Sequence, residues 1–260
     1  MSRIELQAGG LETLDIRGDP GVPAIVLLHE GLGSVRLWRD FPAALADATG
    51  ARVFAFSRFG HGESDPPPRP RTPRFMHEEA LDVLPAVLRA ARIAEPILVG
   101  HSDGASIALV NAATHPARAV VAMAPHVFVE EMCLAEIRAA KRAYETEGLR
   151  ARMARHHRDP DAAFYGWNDV WLDPAFPRWD ITDVLSDITC PVLLIQGVDD
   201  QYGTMAQLDA IESRVAGPVE RLQPPARHAP HLEAFEETLA ATAAFIRDLA
   251  AASRSDRPPG

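Results

Sequence analysis

Cysteine and long apolar runs are scarce in this sequence. Only two cysteines occur among 260 residues, Cys133 in a helical stretch and Cys190 at the start of an apolar run. No stretch reaches the roughly 20 consecutive apolar residues that a membrane-spanning helix needs, and the opening MSRIELQAGG lacks the apolar core of a signal peptide. These absences predict a cytoplasmic protein with two free thiols, because disulfides are rare in reducing compartments.

Positive charge is also in short supply. Lysine and arginine together number 26 against 36 aspartates and glutamates, so the formal net charge is −10. Nucleic-acid binding needs a basic surface, and the sequence has no compact lysine-rich cluster to provide one. We therefore expect a small-molecule partner rather than nucleic acid or a membrane. The sequence carries no indication of an oligomeric state.

Short apolar runs alternate with amphipathic helical segments along the chain. Strands are predicted at runs with almost no polar residues: 24–29, 52–57, 96–100, 119–124 and 191–197. Other predicted elements are an opening hairpin at 4–7 and 11–17, helices near 37–48, 77–91 and 105–114, a strand at 219–222 and a closing helix at 233–251. Apolar strands of this kind are typical of a parallel sheet buried on both faces. The predicted fold class is α/β, a doubly wound, mostly parallel sheet.

One segment interrupts this alternation. Residues 127–185 contain no clear strand, but they have helix-like stretches and an aromatic cluster, FYGWNDVWLDPAFPRWD. We interpret the segment as a small helical cap inserted into a core formed by residues 1–126 and 186–252. The alternative is a pair of ordinary packing helices anchored by tryptophans. The polar, proline-rich residues 253–260 are predicted to be a disordered tail.

The pattern GHSDG at residues 100–104 carries the clearest chemical signal. It follows a predicted strand and opens a predicted helix, which is the context that gives G-x-S-x-G its meaning. A sharp turn there lifts Ser102 above the sheet, and the flanking glycines leave room for the strand and helix to approach each other. Ser102 is therefore the predicted nucleophile.

A serine nucleophile needs a base, and the base needs an acid to orient it. In this fold the chain order is serine, acid, histidine. Asp199 and Asp200 both follow the strand PVLLIQG, and Asp200 is preferred with Asp199 as the alternative. His228, in the loop after the strand at 219–222, is the predicted base. His231 is assigned to packing or capping, because no further ligands are spaced to complete a metal site with it.

Backbone N–H groups near Ser102 would have to stabilise a negatively charged oxygen. We assign this oxyanion hole to the N–H groups of Gly31, in the loop HEGLGS after the first parallel strand, and of Asp103. Glu30 lies beside the predicted hole. Its carboxylate would oppose a developing negative charge unless it is paired, and Arg36 or Arg58 is the expected partner.

These motifs resemble the α/β-hydrolase superfamily along nearly the whole chain. The matching segments appear in the expected order: LLHEGLGS, SRFGHGESD, LVGHSDGAS, LLIQGVDDQYG and ARHAPHLEAF. Within the superfamily the chain is most similar to compact bacterial esterases, enol-lactonases, cofactor-free haloperoxidase-like enzymes and ring-fission-product hydrolases. The resemblance implies that a helical cap lies between the sixth and seventh strands, where residues 127–185 fall. No cofactor and no metal are predicted.

The chain departs from the superfamily pattern at three positions. Glu30 stands where a glycine is usual, Asp103 where many relatives carry an apolar or aromatic residue, and Arg227 where a glycine commonly precedes the histidine. The first two indicate an unusual substrate pocket, or loops braced by acidic side chains. The residues predicted to line this pocket are Glu30, Arg58, His126, Trp167 and Trp171, with Trp179 as a further part of an aromatic wall.

Three functions remain open on the sequence alone. The first is hydrolysis of a small carboxylic ester or lactone through an acyl-enzyme. The second is cleavage of a carbon–carbon bond in a ring-fission product, whose carboxylate would need an arginine such as Arg138 or Arg178. The third is a non-catalytic ligand-binding homologue, since fold does not fix function.

Overall fold

The computed structural model describes residues 2–255, and the side-chain surroundings of residues 2–249. Within these residues eight strands form one sheet, and they are β1 (Ser2–Leu6), β2 (Gly9–Ile16), β3 (Ile25–Leu28), β4 (Val53–Phe56), β5 (Ile97–His101), β6 (Ala119–Met123), β7 (Val192–Ile195) and β8 (Val219–Leu222). Their order across the sheet is β1-β2-β4-β3-β5-β6-β7-β8. The pairs β1–β2 and β2–β4 are antiparallel and all other neighbours are parallel. The predicted fold class is confirmed.

Helices cover both faces of this sheet. They are α1 (Phe41–Thr49), α2 (Phe75–Glu78), α3 (Leu84–Ala91), α4 (Asp103–Ala112), α5 (Glu131–Thr146), α6 (Leu149–Met153), α7 (Pro160–Trp171), α8 (Ala206–Glu212), α9 (Pro230–Glu233) and α10 (Phe235–Ser255). A wide π-type turn at Glu79–Val83 joins α2 to α3, and short 3₁₀ turns lie at Val35–Trp38, Phe176–Arg178 and Leu185–Asp187. Among the described residues, no helix is both long and apolar enough to cross a membrane.

The central strands explain why the sheet is buried on both sides. Every residue of β3, β4, β5, β6 and β7 is buried, as their apolar sequences predict. Side chains alternate between the two faces of a strand, so Val26 and Leu28 pack into one core while Ile25 and Leu27 pack into the other. The carboxyl ends of the parallel strands meet at one edge of the sheet, where ligands bind in such folds.

The predicted ends of several elements differ from the observed ones. The predicted closing helix at 233–251 is two helices, because Ala234 adopts a non-helical conformation (φ −126°, ψ 52°) between α9 and α10. The last helix runs to Ser255 and so includes residues 253–255 of the predicted disordered tail. Residues 256–260 of that tail lie outside the described residues.

The segment between β6 and β7 is helical, as predicted for a cap. Asp159 begins α7 by accepting a hydrogen bond from the backbone N–H of Ala162 at 3.0 Å, and Pro160 occupies the first turn. Trp167 and Trp171, one helical turn apart, therefore share a face of α7. Tyr144 of α5 stacks on Phe164 of α7 at 3.8 Å between ring centroids, so the two cap helices pack against each other. The assignment of residues 127–185 as a cap inserted into the core stays a prediction, and the word cap below refers to these residues.

Candidate active site

Ser102 occupies a strained turn between β5 and α4. Its backbone has φ 53° and ψ −121°, a conformation that a non-glycine residue rarely adopts. The flanking glycines make the turn possible by close approach: a Cβ on Gly100 would lie 2.3 Å from the Gly104 carbonyl oxygen, and one on Gly104 would lie 2.0 Å from the Leu28 carbonyl oxygen. The strain therefore places the Ser102 hydroxyl at the start of a helix, as the sequence pattern indicates.

The structure brings His228 and Asp200 together. The Nδ1 atom of His228 lies 2.9 and 3.1 Å from the two carboxylate oxygens of Asp200. The backbone N–H of Tyr202 donates a further hydrogen bond to Asp200 at 2.9 Å. Burial by itself would raise the pKa of Asp200, but the bond from His228 outweighs it and lowers the pKa. Asp199, the alternative acid, is exposed to solvent.

Ser102 and His228 line one cavity of about 100 Å³ at the carboxyl edge of the sheet. Its lining combines core loops with the cap and is formed by Glu30, Gly31, Leu32, Ser102, Asp103, His126, Cys133, Ile137, Trp167, Trp171, Tyr202 and His228. Three larger surface cavities, of about 400, 510 and 520 Å³, contain none of the three predicted catalytic residues. The small cavity is therefore the candidate active site.

Two backbone N–H groups at this cavity fit the predicted oxyanion hole. Gly31 and Asp103 both line it, and neither N–H donates a hydrogen bond to any described residue. Asp103 is the first residue of α4, where the helix dipole favours negative charge. At Gly31 a Cβ would lie 2.1 Å from the indole nitrogen of Trp167, so only glycine lets the cap approach this loop.

The expected partner of Glu30 was wrong. Arg58 donates hydrogen bonds to the backbone carbonyls of His29 and Glu30, the latter at 2.8 Å, rather than pairing with the carboxylate. Arg36 lies 3.7 Å from Glu12 instead. The Glu30 carboxylate lies 3.5 Å from Nδ1 of His101. Burial would raise the pKa of Glu30, but His101 outweighs that effect and lowers the pKa well below its ordinary value.

Asp103 holds a buried carboxyl group beside the nucleophile. Only 1% of the residue is exposed, and its carboxyl oxygens make no well-formed hydrogen bond among the described residues, with the Trp171 indole N–H as a weak donor nearby. Burial raises the pKa of Asp103 from 3.8 to about 6, although the nearby positive charges of Arg58 and Arg71 act in the opposite direction. A buried polar group without a well-formed hydrogen bond is costly.

The predicted pocket residues divide into two groups. Glu30, His126, Trp167 and Trp171 line the cavity, whereas Arg58 does not, because its guanidinium is used to hold the loop after β3. Burial, with the neighbouring His228, lowers the pKa of His126 to about 3, so its imidazole is neutral.

Trp179 is also absent from the cavity lining. Its ring stacks on Phe176 at 5.7 Å within the cap, so it packs rather than forming part of the aromatic wall. Arg138 and Arg178 are exposed and line none of this cavity, which contains no lysine or arginine.

Sequence reasoning missed several lining residues. Cys133 and Ile137 stand one helical turn apart on α5 and reach the cavity from the cap. Their four-residue spacing indicates a buried helix face, but it does not show that this face covers the cavity. Tyr202 follows Asp200 by two residues, and its ring lies 4.5 Å from that of His228. Its position two residues after the predicted acid was the sequence signal that could have identified Tyr202.

The described residues show two free thiols, Cys133 buried and Cys190 half-buried. Burial raises the pKa of Cys133 well above its ordinary value, so this thiol is not an activated nucleophile. His231 lies within α9 and packs against Trp38 at 4.8 Å. No cluster of three or more histidine, cysteine or acidic side chains in the described part of the chain is arranged to hold a metal ion.

Comparison with known proteins agrees with this geometry. Residues 23–165 match the family model described as "alpha/beta hydrolase fold". A curated relative, the serine hydrolase BPHL of Mus musculus, is 28% identical over 235 residues, which cover 84% of this chain and 77% of that protein. The non-heme chloroperoxidase of Streptomyces lividans is 31% identical over 192 residues, covering 58% of this chain and 65% of that protein.

Solved structures share the whole fold at low sequence identity. The proline iminopeptidase of Mycobacterium smegmatis superposes with a TM-score of 0.77 at 20% identity, covering 97% of this chain and 99% of that one. The enol-lactonase of Burkholderia xenovorans LB400 superposes with a TM-score of 0.72 at 21% identity, covering 95% and 99%. The family match extends over more than half of the chain, and the sheet has the corresponding topology. This chain belongs to the α/β-hydrolase fold family.

Proposed function

We propose that the protein is a serine hydrolase that cleaves a small carboxylic ester or lactone through an acyl-enzyme. One observation carries the proposal. Ser102 in its strained turn and His228 with Asp200 behind it line the same cavity, where two N–H groups lack partners. The name of the BPHL relative as a serine hydrolase supports the same chemistry.

In the proposed reaction each of these groups acts once in acylation and once in deacylation. His228 Nε2 accepts the Ser102 proton while the serine oxygen attacks the carbonyl carbon, and Asp200 stabilises the imidazolium that forms. The N–H groups of Gly31 and Asp103 hold the carbonyl oxygen as it becomes negative. Return of the proton to the leaving alcohol breaks the ester bond and leaves the acyl-enzyme. Water then repeats the steps and releases the acid.

The charge of the cavity restricts the substrate. Glu30 and Asp103 contribute carboxylates, and the lining contains neither lysine nor arginine. Glu30 is paired with His101. Asp103 makes no well-formed hydrogen bond among the described residues, with the Trp171 indole N–H as a weak donor nearby, and Arg58 and Arg71 act on it from outside the lining. We infer that the substrate is uncharged or positively charged and presents a hydrogen-bond donor, such as an ammonium group, to Asp103.

The charge of the cavity argues against one of the other two functions, and the geometry of the catalytic residues argues against the second. A ring-fission product carries a carboxylate, which would meet Asp103 rather than a cation, since Arg138 and Arg178 lie outside the cavity. A non-catalytic binding protein has no need of a strained serine or of an imidazole held by a carboxylate. Both features are retained here.

A matched set of p-nitrophenyl esters tests the proposal. The three acyl chains are of equal length and end in a methyl, an ammonium or a carboxylate group. We expect nitrophenolate release from the first two, with the highest kcat/KM for the ammonium ester and the lowest for the carboxylate ester. No hydrolysis of any ester would contradict the proposed chemistry, and a preference for the carboxylate ester would contradict the proposed substrate charge.

Replacing Asp103 with asparagine isolates its contribution. Losing a charge-assisted hydrogen bond of about 1.5–3 kcal/mol is expected to lower kcat/KM for the ammonium ester about 10- to 100-fold, while the methyl ester changes little. Because the pKa of Asp103 is about 6, the wild-type KM for the ammonium ester should fall as pH rises through that value. Asp103→Asn should lose this dependence. Equal effects on both esters would show that Asp103 does not bind the charged group.

A further inference from the structure

A chain of contacts joins three loops behind the candidate active site. Nε2 of His101 lies 2.7 Å from the backbone carbonyl oxygen of His228, and Nδ1 of His101 lies 3.5 Å from the Glu30 carboxylate. His101 is the last residue of β5, immediately before Ser102, and only 2% of it is exposed. One imidazole thus contacts the loop of the base and the loop of the oxyanion hole.

The contact to His228 is made at the proposed base, which must be placed accurately relative to Ser102. His228 lies between β8 and α9, and its side chain is held from one side by Asp200. That bond fixes the imidazole. Elsewhere in the loop the Arg227 N–H donates to the Glu233 carboxylate and the Ala226 carbonyl accepts from the Asp199 N–H. The hydrogen bond from His101 to the His228 carbonyl ties the His228 backbone to the strand that carries Ser102.

We propose that His101 is a positioning residue, which holds the His228 backbone at a fixed distance from Ser102 while Glu30 orients the His101 ring. The proposal rests on the proposed function, because it assigns His228 as the base. Two different nitrogens of one ring serve the two contacts: Nε2–H donates to the His228 carbonyl, and Nδ1 lies 3.5 Å from the Glu30 carboxylate. His101 itself does not touch the reacting atoms and is therefore not a catalytic residue.

The surroundings of His101 favour its protonated form. Burial alone lowers the pKa of His101, but the Glu30 carboxylate and the His228 carbonyl outweigh it, and the pKa is raised. The titratable groups that face His101 are Glu30, Asp200, His126, His228 and His231. The His231 ring is 4.7 Å away, but burial first and the charge of His101 next hold the pKa of His231 well below its ordinary value, so it is neutral.

Three substitutions separate the hydrogen bond from the ring and the charge. His101→Gln places an amide N–H near the position of Nε2 and keeps the bond to the carbonyl. His101→Asn places its amide near Nδ1, so it faces Glu30 but does not reach the His228 carbonyl. His101→Phe keeps the ring volume and removes both contacts. The measurements are the rate of Ser102 labelling by a fluorophosphonate, kcat and KM on the methyl ester, and thermal unfolding.

We expect His101→Phe and His101→Asn to lower kcat about 10- to 100-fold at unchanged KM, because small displacements of a catalytic group have effects of this size. His101→Gln should recover most of the rate. All three variants remove the imidazole ring, which lies 5.2 Å from that of His228. The recovery in His101→Gln alone therefore isolates the hydrogen bond.

The outcomes distinguish this proposal from the proposed function. No labelling of wild-type protein would overturn both. Normal labelling of wild type together with wild-type rates in His101→Asn and His101→Phe would overturn the positioning role alone. Equal loss in His101→Gln and His101→Asn, with both folded, would also overturn it, because the ring and not the hydrogen bond would then matter. If His101→Phe fails to fold, the comparison of the two amides still decides.

Discussion

Ser102→Ala is expected to abolish ester turnover and fluorophosphonate labelling while leaving the fold intact. The substitution removes only the hydroxyl oxygen that would form the acyl-enzyme, and the strained backbone of the turn remains available to alanine at the same cost. Loss of a nucleophile in comparable triads lowers kcat by about 10⁴-fold or more, and the remainder comes from binding and the oxyanion hole. The measurements are kcat on the methyl ester and labelling followed by intact-protein mass spectrometry.

Ser106→Ala provides the matched control for this variant. Ser106 is also buried, lies one turn further along α4 and donates a hydrogen bond to the His126 carbonyl at 2.6 Å, but it does not line the cavity. Its loss should lower the thermal stability and leave labelling in place. Turnover by Ser102→Ala at the wild-type level would remove the nucleophile assignment.

Asp200→Asn is expected to lower kcat by about 10⁴-fold with little change in KM. The amide retains the shape of the carboxylate but can present an N–H to His228 Nδ1, which stabilises the wrong tautomer of the imidazole. It also removes the negative charge that stabilises the imidazolium. Steady-state kinetics on the methyl ester measure the effect, and thermal unfolding shows whether the variant is folded.

Asp199→Asn makes the same chemical change one residue away. Asp199 is exposed and its side chain has no hydrogen bond within the described residues. The activity of the Asp199→Asn variant should therefore equal that of wild type. A large loss in Asp199→Asn with little loss in Asp200→Asn would reverse the assignment of the acid. Equal small effects would mean that neither carboxylate supports the base.

Features encoded in short segments were predictable from the sequence. The five apolar runs gave the central strands because burial on both faces leaves no polar position in such a strand. GHSDG predicted the turn at Ser102 because close backbone approach at Gly100 and Gly104 permits no side chain. The preference for Asp200 over Asp199 came from the resemblance, whose pattern is G-x-x-D counted from Gly197, and the structure places Asp200 against His228.

Pairings between distant loops were not predictable. Arg58 was expected to pair with the Glu30 side chain, but its guanidinium instead hydrogen-bonds the backbone carbonyls of His29 and Glu30. The contact between Glu30 and His101 depends on how two strand ends are placed in three dimensions, and no local pattern records it. The same holds for Cys133, whose position over the cavity depends on how the cap packs on the core.

The buried Asp103 carboxyl also affects folding thermodynamics. Its pKa of about 6 exceeds the ordinary 3.8, so between these values the native chain binds more protons than the unfolded chain, and the free energy of unfolding falls as pH rises. At neutral pH this group lowers that free energy by about 3 kcal/mol. A neutral substitution at Asp103 is therefore expected to stabilise the folded protein. The same substitution is expected to reduce its discrimination between cationic and neutral esters.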